Sequence, residues 1–191
     1  MYPVLLGIDG IGYGDFTECE LNVLPRLMNI VDRGVVENKK PQYPDKSWWT
    51  ILNMEPTDNI PSDPSLAPLV KLTRATLINI PVVNPTYGLY SIKLDQGTPY
   101  EEEVNNVIGA LIKAAVKAPV IASITAPDRF LHINQSIKCS IYSTIDEAIG
   151  SLINSGISSF ILFSPYGEPT GPNEGEHEEY GIYIATISRP R

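Results

Sequence analysis

Three short apolar runs constrain this chain most: VLLGID from Val4 to Asp9, VIASIT from Val120 to Thr125 and FILFS from Phe160 to Ser164. Each is too short for a buried helix and is apolar on successive residues, the pattern of a strand covered on both faces. Between them lie stretches with helical spacing. Leu24, Leu27, Met28 and Val31 share one face of a helix that Gly34 is placed to cap at its C-terminus. TPYEEEVNNVIGALIKAAVKA is the clearest helix, with a capping box from Thr98 to Glu101, Pro99 at the first helical position and lysines in the last turns. STIDEAIGSLINSG reads as another, boxed by Thr144 and Glu147 and stopped by Gly156. TLINIPVV, GLYSIKL and YGIYIATI complete the strands. The segment from Asn38 to Ser65 reads as mostly loop, with one short helix after Ser47. Strands alternating with helices predict a three-layer α/β/α sandwich around a mostly parallel sheet. A chain of 191 residues suits a single domain over 1–191.

Hydrophobic residues make up 43% and charged residues 19% of the chain, a soluble globular composition. The net charge of −8 argues against nucleic-acid polymers and anionic membranes as partners. It leaves small phosphate-bearing molecules open, because a bound divalent cation reverses the local field. No run approaches the roughly 20 apolar residues of a membrane span. The opening MYPVLLGID lacks a basic region and meets Asp9, unlike a signal peptide. Cys19 and Cys139 read as two free thiols, and the expected compartment is the cytoplasm.

In open α/β sheets, ligands bind beyond the carboxyl ends of the strands. Asp9 ends the first run, Asp128 and His132 follow the second, and the loop after the third carries His177. Both histidines of the chain are in that set. Asp128, His132 and His177 would give one carboxylate and two imidazoles, ligands suited to zinc, manganese or iron, with a position left for substrate. By residue pattern alone the plainer readings stand beside this one. DxxxH arises often by chance, Asp9 can cap a turn, Ser47 can be an N-cap, and Asp128 can pair with Arg129 or Lys138. Trp48 and Trp49 read as packing residues.

IDG at Ile8 to Gly10 followed by LPRLMNIVDRGV resembles the opening of the alkaline-phosphatase superfamily, in the type I phosphodiesterase/nucleotide pyrophosphatase branch. YPDKSWWTILNMEP resembles the branch's nucleophile segment and puts Ser47 at the nucleophile's position. APDRFLH resembles its Asp-and-His metal element, which carries over to Asp128 and His132. EHEEYGIYIA resembles the last element, which carries over to His177. Asp9 matches the first metal-binding aspartate. The resemblance implies an alkaline-phosphatase-like core without a cap domain, and a divalent metal cofactor, zinc or manganese.

One departure changes the expected chemistry. Where the family has Asp-His after FILFS, this chain has Pro165 and Tyr166. Only Asp9 and Ser47 then remain for a second metal, with Glu168, Glu174 or Glu176 as conceivable substitutes in the same loop. The expectation is a metal-dependent phosphoester (phosphodiester or nucleotide) hydrolase with one intact metal site, Ser47 as nucleophile and a small phosphorylated substrate or anion as partner. A helix N-terminus behind Ser47 would help to seat that anion. The alternative is a catalytically inactive pseudoenzyme that binds a small anion or a protein partner. A third option, a homo-oligomer whose subunits complete the site, stays open.

Overall fold

A computed structural model describes residues 1–14, 17–57, 63–82, 97–173 and 175–187. Six strands form one sheet: β1 (Val4–Ile8), β2 (Asp32–Glu37), β3 (Thr76–Ile78), β4 (Val120–Ile124), β5 (Phe160–Phe163) and β6 (Tyr180–Ala185). Their order across the sheet is β2-β6-β5-β1-β4-β3. β1 pairs in parallel with both β4 and β5, and β3 in parallel with β4. β6 is antiparallel to β5 and to β2. The helices are α1 (Val23–Ile30), α2 (Pro44–Asn53), α3 (Pro68–Thr73), α4 (Tyr100–Ala114), α5 (Ala126–Leu131) and α6 (Lys138–Asn154).

The alternation of side chains along each strand builds the layers. Val4, Leu6 and Ile8 of β1, Val120, Ala122 and Ile124 of β4, and Phe160 and Leu162 of β5 enter one core with α1, α4, α5 and α6. Leu77, Ile121 and Phe163 point the other way, into a second core under α2 and α3 that contains Trp48 and Trp49. Both tryptophans are fully buried, as packing residues should be. The mostly parallel three-layer architecture is therefore present.

Several boundaries differ from expectation. α1 ends at Ile30, and Gly34 lies inside the edge strand β2. A Cβ at Gly34 would come 2.5 Å from the Tyr183 ring, so close packing across β2 and β6 accounts for this glycine. α4 begins after Pro99 without a side-chain cap, so the Thr98–Glu101 box does not form. α6 begins at Lys138, which leaves Thr144 inside the helix with its hydroxyl on the Ser140 carbonyl (3.0 Å). Gly156, with φ +92°, follows the helix end as expected. A different acid does the capping: Asp146 of α6, buried, accepts from the backbone N–H groups of Asn22, Val23 and Leu24 at the start of α1. Of TLINIPVV, Thr76–Ile78 is strand and Asn79 to Val82 is not, while its last valine and GLYSIKL lie outside the described residues.

The cysteines correct a second expectation. Cys19 and Cys139 are joined by a disulfide, with their Cα atoms 5.2 Å apart across 120 positions of sequence. They were expected to be free because separation along the chain conceals proximity in the fold. Disulfides persist in oxidising compartments and, as an exception, inside hyperthermophiles, so the bridge removes the argument for a reducing cytoplasm. Among the described residues no helix is long and apolar enough to cross a membrane. The bridge ties the segment before α1 to the start of α6. Denatured but unreduced protein should show no titratable thiol, and the Cys19→Ser/Cys139→Ser variant should lose about 2–5 kcal/mol of stability in denaturant melts.

Candidate metal centre

The site is assembled at one edge of the sheet. β5, β1 and β4 are parallel neighbours, so their carboxyl ends emerge side by side. Asp9 follows β1 directly; its N–H bonds Ile124 O (2.9 Å) and its carbonyl accepts from Asp128 N (3.2 Å). That pair of bonds fixes the start of α5 against the end of β1. Asp128 and His132, four residues apart, then rise on one side of a single helical turn. His177 arrives from the loop between β5 and β6, where its backbone N–H donates to Gln42 Oε1 at 3.3 Å.

The three side chains meet. His177 Nε2 lies 2.6 Å from Asp128 Oδ1, His132 Nε2 lies 3.2 Å from His177 Nε2, and His132 Nε2 lies 3.5 Å from Asp128 Oδ1. Ligand atoms on a tetrahedral zinc ion sit about 3.3 Å apart, given metal–ligand bonds near 2.0–2.1 Å. Two of the three separations match that spacing, and the short one is a hydrogen bond that an ion would open. His132 Nδ1 faces the Gly171 carbonyl at 2.5 Å. The carbonyl can only accept, so the proton sits on Nδ1 and the Nε2 lone pair points into the cluster, the arrangement by which ligating histidines are held. His177 is fully buried, and its Nδ1 has no hydrogen-bond partner. Among the described residues this is the one group of three metal-ligating side chains that converges. The donor set fits a divalent ion such as zinc or manganese.

Electrostatics agree with the geometry. Burial pushes the Asp128 carboxyl up, but with the cluster metal-free and the imidazoles protonated, hydrogen bonds from His132 and His177, and then their charges, outweigh it and hold Asp128 below its ordinary value. Asp128 pairs with the histidines and leaves the two expected cations to others. Arg129 goes to Glu103, and Lys138 to Glu18 and Glu168.

Asp9 is close by but differently employed. It is fully buried, and both its oxygens accept from the Trp48 indole N–H, at 3.0 and 3.2 Å. Gly7 makes the approach feasible, since a Cβ there would stand 2.2 Å from the Trp48 ring. Burial first, then the Asp128 charge, raise the Asp9 pKa well above its ordinary value against the pull of Trp48. Tyr166 is buried completely, with its ring 4.1 Å from that of His177. Burial and the nearby Asp128 and Asp9 charges raise its pKa as well, which leaves a neutral phenol. Pro165 has no side-chain donor. Of the conceivable substitutes, Glu168 pairs with Lys138 at 3.1 Å, Glu176 is exposed, and Glu174 lies outside the described residues. Among the described residues no second set of ligands converges: the Trp48 indole N–H is on Asp9, and Tyr166, where the resemblance implies a histidine, is a neutral phenol.

Ser47 also departs from its expected setting. α2 begins at Pro44, with Tyr43 as N-cap. Ser47 is therefore neither the cap nor the start of the helix, and its N–H is spent on Tyr43 O (3.0 Å). Its hydroxyl donates to the same carbonyl (2.9 Å) and accepts from Asn38 Nδ2 (2.9 Å). It borders a pocket of about 190 Å³ lined by Asn38, Lys46, Thr50 and Pro165 among others. Pro165 thus belongs to the serine's surroundings and Tyr166 to the histidines'. Residue patterns gave no notice of Trp48 as the partner of Asp9. Glu103, which supports α5 from beneath, carried one readable signal: it shares the apolar stripe of α4 with Val107 and Leu111.

The fold is alkaline-phosphatase-like, as the resemblance implies, and solved structures that share it include ectonucleotide pyrophosphatase/phosphodiesterase 5 and a phosphonoacetate hydrolase. The PH0037 protein from Pyrococcus horikoshii is similar over 96% of this chain and 84% of its own, at 11% identity and a TM-score of 0.64. An inactive variant of murine ectonucleotide pyrophosphatase/phosphodiesterase 5, solved with AMP, is similar over 87% of this chain and 57% of its own, at 13% identity and a TM-score of 0.58. The zinc-bound C-terminal periplasmic domain of EcEptC from Escherichia coli is similar over 96% of this chain and 72% of its own, at 13% identity and a TM-score of 0.56. The chain thus spans a little over half the length of the murine protein. Identities this low establish the fold alone. No family model matches the chain, and no curated protein matches its sequence.

The two aspartates oppose each other in pH. Asp128, with its lowered pKa, contributes stability above the ordinary carboxyl range that is lost as pH falls. Asp9, with its raised pKa, binds a proton more tightly when folded, so its contribution is lost as pH rises through its folded pKa. In chelator-treated protein, denaturant melts from about pH 4 upward should show wild-type stability declining through that rise, and Asp9→Asn should flatten the decline.

Proposed function

We propose that this protein is a metal-dependent phosphoester hydrolase with a single metal site, held by Asp128, His132 and His177 and acting on a small phosphorylated molecule. The convergence of those three side chains carries the reading. A divalent ion there supplies a positive charge for phosphoryl oxygens and a lowered pKa for an oxygen nucleophile. The protein's own contribution is to aim Nε2 of His132 through the Gly171 carbonyl, and to pack Tyr166 against the His177 ring, which keeps the floor of the site dry. Ser47 is the proposed nucleophile. Its hydroxyl must leave the Tyr43 carbonyl to attack, while Asn38 is placed to keep its oxygen oriented. The ligand is small and anionic, because the chain's net charge of −8 repels extended polyanions away from the ion.

A second reading has an observation of its own. The Trp48 indole on Asp9 occupies the ground on which a second ion would activate Ser47. This favours a protein that binds metal and anion without turnover. Elemental analysis and turnover of a nitrophenyl phosphodiester with added zinc or manganese separate the two. We expect one equivalent of metal, turnover lost on chelation, and at least a hundredfold loss in Ser47→Ala, a loss of the order seen when a nucleophile's chemistry is removed. Bound metal without turnover under any divalent ion would select the binding protein. Full activity in Ser47→Ala would remove Ser47 from the mechanism.

A further inference from the structure

Glu103 is completely buried in the first turn of α4, a helix packed on the sheet. Its two oxygens take four hydrogen bonds. Oε1 accepts from Asn79 Nδ2 (3.0 Å), the Thr125 backbone N–H (2.6 Å) and the Thr125 hydroxyl (2.8 Å). Oε2 accepts from Arg129 Nη2 (2.6 Å). Every donor belongs to the edge of the sheet where the metal centre is built. Asn79 follows β3, takes a left-handed backbone (φ +56°) and also donates to Ser123 O at the end of β4. Thr125 is the residue before α5, and Arg129 is inside it, one position after Asp128.

α5 needs this support. It has six residues and no side-chain cap. A helix so short has little stability of its own. Thr125 and Arg129 are four positions apart and bracket Asp128, so one carboxylate grips the turn at two points. Asp128 and His132 both ride on that turn, whereas His177 is held by a separate loop through Gln42. Metal–ligand distances tolerate only about 0.2 Å of misplacement. The relative position of two ligands to the third therefore depends on how firmly α5 is seated.

We propose that Glu103 is a positioning residue for the metal centre: by clamping Thr125 and Arg129 it sets Asp128 and His132 in register with His177. The inference rests on the single-metal reading above. Breaking a buried ion pair that merely braces the scaffold would lower stability and leave the folded protein's affinity for metal unchanged.

Zinc titration of the metal-free full chain by calorimetry, with the visible spectrum of the cobalt(II)-loaded protein as a second readout, distinguishes these roles. In Glu103→Gln the amide oxygen can still serve Asn79 and Thr125, but its N–H₂ faces the Arg129 guanidinium, so the grip on α5 is lost on one side. Folded Glu103→Gln should bind zinc 10- to 100-fold more weakly, the usual cost of disturbing groups that orient metal ligands, and its cobalt spectrum should change. Thr125→Val, which removes only the hydroxyl arm, should shift both readouts in the same direction by a smaller factor, and it decides the matter if Glu103→Gln does not fold. Wild-type affinity and spectrum in a folded variant of lowered stability would overturn the proposal in favour of a brace. A wild type that takes up no ion would instead overturn the metal reading, before any variant is compared.

Discussion

The parallel register of β1 with its two neighbours is the constraint on which the rest depends. Val4 to Gly7 align with Val120 to Ser123 on one side and with Phe160 to Phe163 on the other. All three strands therefore run out at nearly the same level, and the chain that leaves each one is forced into the same space. Asp9, the Asp128–His132 turn and the His177 loop meet because there is nowhere else for them to go. The backbone bonds from Asp9 N to Ile124 O and from Asp128 N to Asp9 O extend this alignment past the sheet into the site.

The two halves of the site follow different physical rules. Around His132 and His177 the polar atoms converge, the Gly171 carbonyl orients His132 from outside the cluster, and the Asp128 pKa is held down by the two imidazoles. Around Asp9 the opposite holds. A carboxyl group in an apolar setting is expensive unless its hydrogen bonds are met, and here an indole meets them from within the core. The first half gathers metal-ligating atoms, and in the second an indole N–H already meets the carboxyl group. The Pro165–Tyr166 step lies where the halves divide.

Much of this was readable before any coordinates. β1, β4 and β5 are covered on both faces, so their sequences are apolar without interruption and stand out. Asp128 and His132 were legible because they directly follow a strand that stands out, at the sheet edge where ligands bind, and His177 because the strand before its loop stands out as well. β2 was not: on an exposed edge only its inward residues are constrained, and DRGVVE passes for the tail of the preceding helix. The Cys19–Cys139 bond and the Trp48–Asp9 contact depend on tertiary neighbours 120 and 39 positions away, which no local period encodes. Glu103 was hidden in plain view, as the third of three consecutive acids of which the first two are exposed. Capping boxes misled because a threonine inside a helix can satisfy itself on the carbonyl four residues back.

The indole beneath Asp9 carries a consequence for upkeep. An ion can be stripped by a chelator, exchanged for a competitor or lost when supplies run low; a covalently attached ring cannot. On the single-metal reading proposed above, half of this centre is finished when the chain folds, and only the half at the two imidazoles answers to the metal content of its surroundings.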